Sequence, residues 1–526
     1  MGIWEENVLK ELKSKKIVTL WILFAVQVFF IIYCNFFLQE KNIDSDMARL
    51  YVHAIEIFKN HNYYIPDWSY VTTAEWDCSL LFAVPFYGIT HNIYTSFACA
   101  NIVFLAIWIW TVFKLFAGKD CIYPLVSLNL ILVPYGVGML SYFNMLFFNG
   151  GQYVVKALLP LMLTAILIEI HSHKAWKWSQ YLFAILYFSL LLISTVSSGM
   201  YVFLCGVLPC VLAYFLCDLF QKDKISIGFW VCLLCNVLVV AAGYYLNIRL
   251  QVGSKGNAMT FCILPNQIHD NIVACFWGIF ELFEGVTYWY TEIMSVEGIV
   301  VLLRMVFTAL LLICGYLTLK KVFKGKETNI RNVILISIFV VNTIVLCVCN
   351  DLRRSNGLFE FRYHLVGVIP LMILMGKWLI DCYKTSNMKV KRFLMLVASV
   401  IFLGILLDSY KEILTRDSSR NEFRNICGYA EEYGVSKVYF DDYEGAEICR
   451  LFDEDTEYIY FISDGTIAYT HVFDYYESYK NQPVNFDDSL LVIYGIEEND
   501  TIEMLGRSFV FIAQEGAYRV YAPIEI

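Results

Sequence analysis

The residues with the chemistry to act sit in two places. Between Asp44 and Asn92, directly after the first long apolar run, the carboxylates Asp44, Asp46, Glu75 and Asp77 stand among aromatic and amphipathic sequence. Acids at that position have no membrane-anchoring use, so they are either ordinary solvated loop charges or the lining of a site at the lipid–water boundary. Much later, NDLRRSNGLFEFRYHLVGVIPLM (350–372) gathers Arg353, Arg354, Glu360, Arg362, Tyr363 and His364 just before another apolar run. Arginines there call for an anion. A phosphate at headgroup depth is the simplest one, because a guanidinium offers it two parallel donors; lipid headgroup anchoring is the plainer use. Arg304, inside VVLLRMVFTALLL, and Lys156, at the start of the run VVKALLPLM, add two further cations. A charge inside a span needs a cavity or a counter-charge, although both lie close enough to a boundary for their stems to snorkel.

The elements that must position these residues follow from composition. The chain is 59% hydrophobic and only 17% charged, which places it in the membrane class. Its apolar residues come in runs of about 17–25, the length of a helix crossing the hydrocarbon core. Eleven spans are expected, near 17–38, 93–116, 121–140, 153–170, 180–196, 199–219, 227–247, 297–319, 332–349, 364–381 and 392–408. A barrel is excluded, since its strands would alternate apolar and polar residues over about ten positions.

Lysine and arginine set the orientation. With the N-terminus in the cytoplasm, the inward segments are 1–16, the turns at Lys114 and Lys119, Lys174 and Lys177, and Lys222 and Lys224, and the loops 320–331 and 384–392; all are basic. The positive-inside rule is thus satisfied along the chain, and an odd number of spans puts the C-terminus outside. In the first outward loop, 39–92, the segment 46–60 places Met47, Leu50, Tyr51, Ala54, Ile55 and Phe58 at helical spacing, with Arg49, Glu56 and Lys59 off that face. A second amphipathic piece covers about 74–88. Both are expected to lie flat on the outer leaflet.

After residue 411 the character changes. Residues 414–526 carry 23 Asp and Glu against 8 Lys and Arg, a net of −15, so the whole-chain −9 leaves +6 for the rest. An acidic outer domain argues against nucleic acid as a partner. Helical stretches at 421–435 and 443–453 alternate with apolar strands at 436–442, 457–463, 489–495, 508–514 and 518–524, the pattern of a small α/β domain. It has no Gly-rich phosphate loop, no Gly-x-Ser-x-Gly and no His/Cys cluster, so no catalysis of its own is expected. The seventeen cysteines, mostly within spans, make neither a disulfide framework nor a metal cluster by spacing. The fold class is therefore an α-helical polytopic membrane protein, with residues 1–411 as the membrane domain and 412–526 as an extracytoplasmic α/β domain.

This layout resembles the GT-C superfamily of membrane glycosyltransferases, in particular bacterial members similar to protein-mannosyltransferases and aminoarabinose transferases. Asp46-Met47-Ala48-Arg49-Leu50-Tyr51 is similar to their Asp-Glu then Ala-Arg-Tyr in the first loop, with Met47 in place of the second acid. The FRYHLVGVIPLM stretch is similar to their Arg-Tyr…Pro segment. The resemblance implies transfer of a sugar, with inversion, from a polyprenyl-phosphate-linked donor in a plasma membrane, bacterial by this reading, to a glycan, lipid or protein acceptor at the outer face. Asp46 or Asp44 would be the general base. Arg362 and Tyr363, with His364, Arg304 and Lys156, would hold the donor phosphate or sugar, and Glu75 and Asp77 the acceptor. A divalent Mg or Mn ion stays open as cofactor, weakened by Met47. Two other readings remain: a polysaccharide polymerase, ligase or lipid-linked glycan flippase, and a non-enzymatic scaffold or receptor.

Overall fold

The structure is a computed structural model of the chain. It describes all residues except 1, 66–67, 69, 71–72, 137, 139, 173–174, 222–225, 251–263, 287–290, 328, 350–360, 417–419, 463–464, 466, 468–483, 496–499 and 525–526; side chains are described for neither 2–16 nor 218–221. Arg353, Arg354 and Glu360, and the basic turns at Lys174 and at Lys222 and Lys224, therefore lie outside the described residues.

In chain order the first helices are α1 (Gly2–Phe37), α2 (Ser45–Lys59), α3 (Leu80–Thr90), α4 (Ile93–Leu115), α5 (Ile122–Ile131), α6 (Tyr142–Leu146), α7 (Val154–His171) and α8 (Trp178–Ser198). They are followed by α9 (Leu208–Gln221), α10 (Ile227–Arg249), α11 (Pro265–Leu282), α12 (Val296–Phe323), α13 (Ile330–Val348), α14 (Leu365–Thr385) and α15 (Met388–Thr415). The C-terminal region adds α16 (Asn421–Tyr433), α17 (Tyr443–Phe452) and six strands. Among the described residues, nine helices are long and apolar enough to cross a membrane, and each coincides with an expected span.

The other two expected spans are shorter apolar helices, and the backbone says why. The run at 121–140 stops as α5 after ten residues; Pro134 cannot continue a helix, and Gly136 follows with φ 72°. The run at 199–219 starts only after Gly199, which ends α8 with φ 62°, and opens with a π turn at Phe203–Val207 before α9.

The chain forms two compact units. The first comprises Met1–Cys34, Thr72–Ser79 and Asn101–Thr415. Its helices approach closely through small residues, as expected where lipid tails are no less apolar than side chains. A Cβ on Gly315 of α12 would lie 2.8 Å from Leu371 of α14, and one on Gly243 of α10 would lie 2.8 Å from Thr195 of α8. Buried polar pairs add direction: Tyr187 donates to Asn236 between α8 and α10 at 2.6 Å, and Gln27 to Asn129 between α1 and α5 at 2.7 Å.

The second unit comprises Asn35–Val71, Leu80–Ala100 and Arg416–Ile526. The first outward loop, grouped by sequence with residues 1–411, thus packs largely with the C-terminal region. Its sheet has the order β2-β1-β3-β6-β5-β4, built from β1 (Lys437–Phe440), β2 (Glu457–Tyr460), β3 (Ser489–Tyr494), β4 (Thr501–Met504), β5 (Arg507–Glu515) and β6 (Tyr518–Pro523). Strand β1 runs parallel to β2 and β3, and the remaining pairs are antiparallel. The expected α/β domain is there, with β4 as a strand that sequence reading omitted.

Helix α2 packs against α3 on one side and α17 on another. It does not lie flat with one wet face: besides Met47, Leu50, Tyr51, Ala54 and Ile55, it buries Arg49, Val52, His53 and Ile57. His53 stacks on Trp68 with ring centroids 4.3 Å apart; burial, with Arg49 nearby, pushes its imidazole down to about 3. A helix covered on two sides needs apolar residues all round, and the C-terminal domain supplies the second cover.

Candidate active site

The site residues fall into three groups, each held by a different local cause. Within the first unit, Asp77 and Lys156 meet. Asp77 lies in the irregular segment 73–79, 0% exposed, and Lys156 in the first turn of α7 is 7% exposed. The ammonium lies 3.3 Å from Asp77 Oδ1 and also donates to the Gln152 carbonyl at 3.2 Å. Three hydroxyls from the last turn of α8 complete the shell: Ser197 donates to Oδ1 at 2.9 Å, and Ser194 and Ser198 donate to Oδ2 at 2.8 and 2.9 Å. Ser197 in turn accepts from the Trp76 backbone N–H, and its carbonyl accepts from Ala74. Both Asp77 oxygens are thus already taken by four side-chain donors, and the geometry leaves no open place on them for an acceptor hydroxyl. Asp77 and Lys156 hold the segment 73–79 on the adjacent ends of α7 and α8; Lys156 does not snorkel. Neither the acceptor role expected for Asp77 nor the phosphate role expected for Lys156 suits that geometry.

Arg304 is likewise committed. It is 5% exposed on α12 and pairs with Glu284, with Asp408 at 2.9 Å and with Glu412 at 3.9 Å. Those acids come from the loop after α11 and the last turns of α15. The charge is satisfied by carboxylates rather than by snorkelling, and the cluster is net negative, which disfavours a phosphate there.

Arg362 and Tyr363 occupy a 3-10 turn, Phe361–His364, that leads into α14. The guanidinium lies 5.3 Å from the Tyr363 ring; that ring meets Tyr153 edge-on at 6.1 Å, and Lys156 lies 5.2 Å from the Tyr153 ring. Arg362, Tyr363, Tyr153, Lys156 and Asp77 thus form one connected row inside the first unit. Arg362 is partly exposed beside the start of α14, where the helix dipole also favours an anion. His364 is 1% exposed, with Nδ1 4.0 Å from the Cys275 thiol, so it belongs to the packing of this turn. Glu75, partly exposed, has φ 58°, a strained backbone for a non-glycine residue.

The second unit holds the other two acids. Asp44 is the N-cap of α2: its Oδ1 accepts from the Met47 N–H at 2.9 Å, and it is 7% exposed. Burial raises its carboxyl to about 7, with Asp46 and Glu444 adding to the shift and the Met47 N–H and Arg420 opposing it. Asp46, in the first turn, is partly exposed and lies 3.8 Å from Arg49. Of the two, Asp46 has the accessibility a general base needs, while Asp44 sets the helix on which it stands. Among the described residues no three His, Cys, Asp or Glu side chains gather as metal ligands, so Asp44 and Asp46 do not make a Mg or Mn site by themselves. Sequence reasoning missed Ser194, Ser197 and Ser198, although the run STVSSG at the end of a span was a signal, and it missed Glu284, Asp408 and Glu412.

No protein-family model matches the chain, and no curated protein matches it in sequence. Solved structures do share its fold. ArnT from Cupriavidus metallidurans in the apo state superposes with a TM-score of 0.55 at 10% identity, covering 96% of this chain and 98% of that one. The same protein bound to undecaprenyl phosphate gives 0.55 at 10% identity over 95% and 97%. The Archaeoglobus fulgidus oligosaccharyltransferase in complex with Zn and sulfate overlaps more loosely, with a TM-score of 0.49 at 10% identity over 90% of this chain and 68% of that one. The likeness to ArnT is one of fold, a helical membrane architecture with a small C-terminal sheet domain as the sequence leads one to expect.

Proposed function

We propose that this chain is a GT-C-type glycosyltransferase that moves a sugar from a polyprenyl-phosphate donor to an acceptor hydroxyl at the outer face of a bacterial plasma membrane. The acceptor is a cell-surface glycan, lipid or protein. The observation that carries the reading is the ArnT fold over 96% of the chain, together with an accessible Asp46 at the start of the first-loop helix and Arg362–Tyr363 at the start of α14. ArnT itself has been solved with undecaprenyl phosphate bound.

The chemistry asks little beyond those residues. The acceptor oxygen attacks the anomeric carbon from the face opposite the phosphate, and the bond from that carbon to the phosphate oxygen breaks, so the configuration inverts. Asp46 accepts the proton of the hydroxyl as the new bond forms. Polyprenyl phosphate leaves with the bonding electron pair, and Arg362 meets the charge that develops on it. Glu75 is the remaining acid suited to hold the acceptor. Asp77 and Lys156 serve by fixing the segment that carries Glu75.

The test is transfer of a labelled sugar from polyprenyl-phosphate donors in membranes holding wild type, Asp46→Asn, Asp44→Asn or Arg362→Ala at matched protein levels. The reading expects transfer by wild type, a loss of about a hundredfold or more in Asp46→Asn, and a smaller loss in Asp44→Asn. Full activity in all three variants would remove the site assignment; no transfer by wild type from any donor would remove the function.

A further inference from the structure

We infer that the C-terminal domain acts as a clamp on the first loop, with Arg420 as the positioning residue that fixes the start of α2 and so the carboxylates of Asp44 and Asp46. This rests on the glycosyltransferase reading, and it gives the α/β domain a task in the reaction without catalytic groups of its own.

Arg420 stands just before α16 with φ 50° and ψ 17°, the left-handed region. For an arginine that conformation is strained and persists only where the surroundings enforce it. Its side chain, 17% exposed, makes one contact to the first loop and one within the domain. One guanidinium nitrogen donates to the carbonyl of Ile43, the residue directly before the cap of α2. The same nitrogen lies 3.4 Å from Glu444 in the first turn of α17. That nitrogen ties together the starts of three helices, and the planar guanidinium fixes its direction as a freely turning ammonium would not.

Two neighbouring pairs extend the grip. Arg424, one turn along α16, meets Glu40 at 2.5 Å, and Lys59 at the far end of α2 meets Glu454 at 2.6 Å. The first loop is thus held at both ends of α2 by residues of the 416–526 region. Among the described residues, the Arg420 contact is the one that touches the backbone next to the cap, and there charges of the domain face Asp44. The groups around Asp44 are Asp46 and the Met47 N–H on its own helix, with Arg420 and Glu444 from the domain.

A clamp that sets the geometry of a reacting carboxylate acts on turnover more than on donor binding, since a displacement of about 1 Å in a reacting group is worth roughly a hundredfold in rate. The experiment uses the full chain in lipid vesicles, with labelled polyprenyl-phosphate sugar as donor, and compares Arg420→Gln, Arg420→Lys, Glu444→Gln and Lys59→Met. Arg420→Gln is expected to lower kcat about ten- to a hundredfold with the donor KM within about threefold. It also removes a cation beside Asp44, the cap that sets the helix carrying Asp46, so the pH at which the cap ionises moves up and with it the acid limb of the pH–rate profile. Glu444→Gln removes an anion and moves the same limb down. Arg420→Lys keeps the charge, restoring the limb, but lacks the fork and recovers kcat only in part. Lys59→Met leaves kcat within about twofold, as an exposed pair is worth little.

Amide hydrogen exchange over residues 43–50 is measured on the same samples; it should rise in Arg420→Gln and not in Lys59→Met. Unchanged kcat in Arg420→Gln, or an equal loss in Lys59→Met, overturns the clamp. If wild type transfers nothing, the glycosyltransferase reading fails by itself, and the clamp is then decided by exchange: no rise over 43–50 in Arg420→Gln overturns it. Should Arg420→Gln not fold, Glu444→Gln supplies both readouts, and a limb that stays in place or moves up overturns the clamp.

Discussion

The Asp77–Lys156 pair permits the sharpest quantitative test, because it separates an architectural carboxylate from a catalytic one. At 3.3 Å and an effective dielectric constant of about 20, the pair's attraction is on the order of 5 kcal/mol. Desolvating both groups offsets much of this. What remains large is the penalty for removing one partner, about 3–5 kcal/mol, because the other is left charged and buried. Asp77→Asn leaves the Lys156 ammonium with the Gln152 carbonyl and a neutral amide; Lys156→Met leaves the carboxylate with three hydroxyls. The second loss is the smaller, since those hydroxyls already satisfy both oxygens. In the double variant neither charge remains, and about 2 kcal/mol or more of the summed loss should return as coupling. The measurement is unfolding free energy by denaturant titration of the detergent-solubilised protein for all four members of the cycle. Single losses within about 0.5 kcal/mol of zero, or losses that simply add, would refute the argument. Transfer per folded molecule gives the second reading. The double variant should stay within about tenfold of wild type, whereas a catalytic Asp77 would lose about a hundred- to ten-thousandfold.

Three further outcomes follow from the same geometry. Asp44, with its carboxyl raised to about 7 in the folded protein against about 3.9 unfolded, stabilises the fold below pH ~4 and loses that contribution as pH rises through 7. Asp44→Asn lacks this titration, so between pH 5 and 8 its stability relative to wild type should improve by on the order of 2 kcal/mol, measured by unfolding at both pH values; a pH-independent difference counts against the burial argument. Arg304→Met leaves Glu284, Asp408 and Glu412 without their cation and should cost about 3 kcal/mol or more, with Arg304→Lys between it and wild type; thermal midpoints in detergent rank the three, and equal midpoints exclude the cluster as a structural tie. Arg362→Lys, which keeps the charge but not the bidentate fork, should raise the donor KM more than Arg304→Lys does, and the reverse order would return the phosphate to Arg304.

The spans were legible because lipid leaves a backbone no partner but itself, so a crossing helix must be a continuous apolar run that composition exposes. At the two shorter helices hydropathy is blind to the backbone: it sees Pro134, Gly136 and Gly199 as tolerable residues, while the backbone treats them as ends. The α/β domain was legible through alternation, except β4, an edge strand none of whose four residues is buried, so that it carries no apolar run. What the sequence could not show was commitment. It offered two acids as base, two for the acceptor and several cations, and long-range pairing commits some of these elsewhere. Asp77 and Lys156, 79 positions apart, neutralise each other; Arg304 is consumed by carboxylates 20 residues before it and about a hundred after it; Asp44 turns to its own helix. No local pattern encodes such subtractions, although Asp44 before an amphipathic run carried an N-cap signal. The residues that survive, Asp46 on α2 and Arg362 before α14, are those whose surroundings leave a carboxylate and a guanidinium partly exposed.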